Sequence, residues 1–124
     1  MGPTINRTLL LLSALAGLSA VALGAFGAHA LGDQLTEKQI GWWDTATFYL
    51  LTHAVAGLAI AFVDKAERLA FAAMLMVGGA VLFATTLFAM ALGAPIWLGA
   101  TTPIGGIAMV IGWAMIAISA LRSR

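Results

Sequence analysis

At 124 residues the chain is one domain by length, and 62% of it is hydrophobic against 9% charged, which excludes a water-soluble fold that hides its apolar surface. A net charge of +1 with no Lys/Arg block excludes a nucleic-acid-binding surface. The absence of Cys removes disulfides, thiolate nucleophiles and Cys-held metals or iron–sulfur clusters.

The charges fall in short clusters at Arg7, Asp33 to Asp44, Asp64 to Arg68, and Arg122 with Arg124. The runs between them predict an all-α, four-helix transmembrane bundle, a single integral membrane domain over residues 1–124 with spans at about 8–31, 42–63, 69–92 and 104–121. The first run, Thr8 to Leu31, would be about 36 Å long as a helix, enough to cross a hydrocarbon core of about 30 Å. Arg7 ahead of it and the Ala28-His29-Ala30 triplet imitate a signal peptide. The run is longer than the usual apolar region of about 7–15 residues, so an uncleaved span is expected. Ala16, Ala20, Gly24 and Ala28 recur every four residues, and with Gly27 they predict a smooth face where another helix packs closely. His29 needs a polar partner in such surroundings.

Gly32 suits the residue just past a helix end, and Thr36 with Gln39 matches a capping box that opens the second helix near Glu37, with Leu35 and Ile40 as its hydrophobic staple. Trp42 and Trp43 are expected at headgroup level as interface anchors, with Asp44 solvated beside them. Deeper in the helix Thr45, Tyr49, Thr52 and His53 fall within about a quarter of the circumference and form one polar face. His53 would lie about 16 Å beyond Trp42, near the bilayer midplane, neutral and bonded to a partner, for which Tyr49 at i−4 is the first candidate. A polar core of His29, Tyr49, Thr52 and His53 pointing into the bundle follows.

Asp64 to Arg68 reads as a tight turn between antiparallel helices. In the third span Thr85 and Thr86 are expected to bond back to their own helix, and the methionines to act as adaptable packing. Gly93 to Pro103 reads as a loop at the interface anchored by Trp97, and Thr102-Pro103 as a helix start. Gly105, Gly106 and Gly112 are the expected packing positions of the last span. An even number of spans puts Arg7, Lys65, Arg68, Arg122 and Arg124 on one side against Lys38 on the other, so both termini are expected in the cytoplasm.

Three motifs carry a family resemblance: Gly24-Ala-Phe-Gly-Ala-His29-Ala-Leu31; Tyr49-x-x-x-His53 followed by Ala54; and Thr102-Pro-Ile-Gly-Gly106 with Gly112-Trp113. In this order the chain resembles, nearly end to end, the small four-span YgdD/YwdK type that includes transmembrane protein 256, the domain of unknown function 423. The resemblance implies a multi-pass helical bundle of the bacterial inner membrane with no settled biochemical function.

The residues themselves favour a structural or accessory protein that contacts membrane lipid and forms a homo-oligomer or joins a larger membrane complex. The alternative is a small-solute or proton channel or transporter lined by Tyr49, Thr52 and His53 toward His29. No enzyme is expected: there is no Ser/His/Asp set, carboxylate pair or phosphate loop, and hence no catalytic residue. No cofactor or metal is expected either, because His29 and His53 differ too much in depth to share a haem and do not make a zinc site with one distant Asp.

Overall fold

The computed structural model describes residues 5–63 and 67–122. The connection at Asp64-Lys65-Ala66 and Arg124, both used in the topology count, lie outside the described residues, as do the side chains of Glu67 and Arg68. The described residues form four long helices and no strand: α1 (Arg7–Phe26), α2 (Glu37–Ala61), α3 (Glu67–Ala91) and α4 (Thr102–Arg122). The all-α, four-helix expectation holds. Three stretches, Arg7–Leu31, Leu69–Ala91 and Ile96–Arg122, are long and apolar enough to cross a membrane. At 25 residues, about 37 Å, α2 has the same reach but carries the polar face.

Its ends show how α2 is set. The Asn6 N–H donates to the Ala61 carbonyl at 3.1 Å, and the Trp43 indole donates to the Leu23 carbonyl at 2.8 Å. The start of each helix is therefore tied to the end of the other, so α2 runs back along α1 through the same depth. Each helix packs on the next in sequence, α1 also touches α3, and of the other three long helices α4 lies only along α3 among the described residues. The shared core is largely alanine, including Ala16, Ala20, Ala46, Ala54, Ala73 and Ala80. Without a hydrophobic drive between helices in lipid, close backbone approach over small residues supplies the contact energy.

Local signals set the helix ends. The Asn6 side chain accepts from the Leu9 N–H at 3.0 Å and caps α1. Thr36 accepts from the Gln39 N–H at 3.2 Å while Gln39 accepts from the Thr36 N–H at 2.9 Å, the reciprocal box anticipated from the sequence. Past α3, Gly93 takes φ 104°, and the Ala94 and Gly93 N–H groups return to Ala89 and Met90 carbonyls at 2.9 and 3.1 Å, a Schellman ending. Gly32 differs from expectation: its φ is −54°, because α1 runs on into a π-helical turn, Gly27–Leu31.

That turn corrects two further expectations. A π turn holds one more residue than an α turn, so it rotates the chain out of the four-residue stripe. Ala20 stays buried and Gly24 stays against Thr47, whereas Ala28 is turned outward and exposed. Gly27 instead faces α2, where any Cβ would run into the Trp43 indole. Trp43 is accordingly no headgroup anchor. It is buried, its ring edge-on to Phe88 at 4.5 Å. The Gly27 N–H is shared between the Leu23 and Gly24 carbonyls, and Trp43 gives Leu23 a second donor at this irregular point. Trp43→Phe keeps the ring and removes the donor; a loss of about 1 kcal/mol is expected in reversible unfolding in mixed micelles.

The other anchors stand at the surface. Trp42 is half-buried under the Lys38 ammonium, 5.4 Å from its ring centroid, and Trp97 is exposed on a 3-10 turn, Ile96–Ala100. Among the packing glycines of α4, Gly105 and Gly112 press on α3, while Gly106 meets nothing within 4 Å and so is not a packing position.

Candidate functional site

The polar face of α2 resolves into residues with different fates. Thr52 is exposed, and its hydroxyl bonds back to the Phe48 and Tyr49 carbonyls at 2.9 and 3.2 Å. This is the ordinary way a hydroxyl is satisfied inside a span. Thr86 of α3 does the same to Phe83 at 2.9 Å and also pairs with the Thr102 hydroxyl at 2.8 Å, which joins α3 to the start of α4.

His53 is buried, and both of its ring nitrogens are engaged. Nδ1 lies 2.7 Å from the Tyr49 carbonyl oxygen and 3.2 Å from Thr52 Oγ1. Nε2 lies 3.0 Å from the indole nitrogen of Trp113. An indole N–H can only donate and a carbonyl can only accept. Nε2 therefore accepts, Nδ1 carries the proton, and the ring is the neutral Nδ1–H tautomer with each nitrogen satisfied. The Nε2 bond joins α2 to α4, whose backbones are not in contact, while the Nδ1 bond anchors the ring to its own helix. His53 and Trp113 form a side-chain latch across the gap.

The partner differs from the one anticipated. Tyr49 contributes its main-chain carbonyl to His53, and its ring stacks over the imidazole with centroids 6.0 Å apart and planes at 20°. That ring also meets Phe83 of α3 edge-on at 5.0 Å. Trp113 supplies the side-chain bond instead. It lies about 16 Å along α4 from Thr102, in mid-span, where an indole N–H has no headgroup or water to bond. A tryptophan at that depth is the signal that sequence reasoning could have used.

His29 does not join this group. It is exposed on the π turn at the end of α1, while His53 is buried between α2 and α4. The expected polar core thus divides: Tyr49, Thr52 and His53 are brought together, and His29 is excluded because the π turn rotates it outward. A metal or haem iron would find no free nitrogen on His53 unless the latch opened.

Two lateral grooves open on the bundle, and one of them is lined by the latch. Tyr49, His53, Phe83, Gly106, Val110 and Trp113 line one of about 510 Å³ between α2 and α4, with α3 as its floor. The other, also about 510 Å³, lies between α1 and α3 over Leu50, with Ser19 and Thr85 as its polar lining.

Residues 23–106 match the family model described as "Protein of unknown function (DUF423)". The chain is 37% identical to the UPF0382 membrane protein YwdK of Bacillus subtilis, over 94% of this chain and 98% of that one. It is 36% identical to a UPF0382 membrane protein of Staphylococcus epidermidis, over 94% and 97% of the two chains. It is 33% identical to the UPF0382 inner membrane protein YgdD of Escherichia coli K12, over 96% and 93%. No solved structure matches.

Proposed function

We propose, for a chain that belongs to the DUF423 family of membrane proteins, that it acts as a structural or accessory subunit of the inner membrane, without catalytic activity of its own. It offers its lateral faces to a second copy of itself or to a larger membrane complex. The observation that carries this reading is the latch. The buried imidazole at mid-span is committed to the Tyr49 carbonyl and to Trp113, so it serves cohesion between α2 and α4. A channel or transporter working through His53 would have to break one of those bonds in each cycle. The outward faces are apolar and open to lipid or to a partner helix: Leu11, Leu15 and Leu18 on α1 and Ile107 and Val110 on α4 are exposed in the single chain. Both termini face the cytoplasm in this reading, from the Lys/Arg excess on that side.

Native mass spectrometry of the protein released gently from its own membrane tests the proposal. A homo-oligomer, or a second membrane protein in fixed ratio, is expected. A monomer without any partner, together with His53-dependent proton or solute flux in liposomes, would overturn it in favour of transport.

A further inference from the structure

The groove between α2 and α4 carries an inference that goes beyond the accessory reading and does not depend on it. Tyr49 is 41% exposed, and its ring is held over His53 and against Phe83 on the groove wall. Among the described residues its hydroxyl bonds to none, although a phenol in an apolar medium normally finds a partner. Tyr49 lies two helical turns, about 10 Å, along α2 from Trp42, the residue expected at the headgroup level. Phospholipid ester carbonyls are tethered near the headgroups, whereas a molecule free to enter the hydrocarbon core can bring an acceptor to this donor at its own depth. The rest of the wall suits a flat ring: Phe83 and Trp113 are aromatic, and Gly106 leaves open space above α4.

We propose that this groove binds a membrane-soluble carbonyl compound of the quinone class. Its ring rests on the aromatic wall, and its carbonyl oxygen accepts a hydrogen bond from the Tyr49 hydroxyl. Only binding is assigned. The latch stays closed, since Trp113 meets His53 with its N–H while its ring faces the groove.

The test uses the full chain in lipid nanodiscs titrated with a ubiquinone analogue bearing a short saturated tail, read by tryptophan quenching against empty nanodiscs. An alkylbenzene of matched tail length, which has no carbonyl, serves as competitor. Saturable quenching is expected. Gly106→Leu should weaken it by about tenfold or more, because the new side chain fills the groove where a Cβ meets no neighbour, leaving the fold intact. Tyr49→Phe should weaken it about fivefold, the loss of one hydrogen bond. Circular dichroism and thermal unfolding confirm that both variants fold. Quenching that does not saturate, or that Gly106→Leu leaves unchanged, would overturn the proposal. Equal competition by the alkylbenzene with no effect of Tyr49→Phe would also overturn it, leaving an acyl-chain groove.

Discussion

Gly105→Ala is expected to separate α4 from α3 and to be the most damaging single methyl addition in the protein. A Cβ at this position would run into the Gly79 carbonyl and would stand 2.7 Å from the Phe83 backbone nitrogen. Both neighbours are main-chain atoms of a regular helix, so neither can swing aside as a side chain would. Gly79 makes the reciprocal contact, its own Cβ position lying 2.7 Å from the Gly105 carbonyl. Relief requires the helices to move apart along the interface where α4 is held. Overpacking of this kind costs about 1–3 kcal/mol and here also removes small-residue contact along the pair. The check is equilibrium unfolding of wild type and variant in mixed micelles. Gly106→Ala, one position on, is the control and should be neutral, since nothing lies within 4 Å of it.

His53→Ala is expected to cost about 1–3 kcal/mol, the largest loss for a polar residue, because it strands the Trp113 N–H at mid-span and opens a space beneath the Tyr49 ring. The Tyr49 carbonyl also loses a bond, but as a helix carbonyl it keeps the Thr52 hydroxyl as donor. Trp113→Phe keeps most of the apolar surface and leaves His53 Nε2 without a donor. The two substitutions should produce the same phenotype: loosened α4, retained helix content and a lower unfolding midpoint.

Much of the fold could be read in the sequence because its signals were local or compositional. Apolar runs between charge clusters marked the helices, and the Thr36/Gln39 pair marked the start of α2 through a bond that spans three residues. What escaped depended on register and on contacts between distant segments. The Ala16-Ala20-Gly24-Ala28 stripe implies an unbroken α-helix, whereas the π turn that ends it packs Gly27 against Trp43, sixteen residues further on and on another helix. For the same reason Trp43, adjacent to Trp42 and identical in type, looked like an anchor. A rotation of about 100° separates neighbours on a helix, and that rotation sends one ring to the surface and the other into the core.

At the site, periodicity put Tyr49, Thr52 and His53 on one inward face of α2 and marked His53 as needing a partner; of the three only His53 is buried, and Thr52 is exposed. It could not identify that partner as Trp113, sixty residues on, because helical spacing constrains only residues of the same helix. His29 was grouped with them on chemical type alone. Its place on the π turn that follows α1 separates it from the pair.

The central claim, that His53 is a latch holding α2 to α4, is tested most directly by a double-mutant cycle. Unfolding free energies would be measured for wild type, His53→Ala, Trp113→Phe and the double variant in the same micelles. A direct bond between the two side chains is expected to give a coupling energy of about 0.6 kcal/mol, the average for interhelical hydrogen bonds in membranes, and at most about 1.7 kcal/mol. Strictly additive losses, with coupling near zero, would contradict the latch and return His53 to the transport reading.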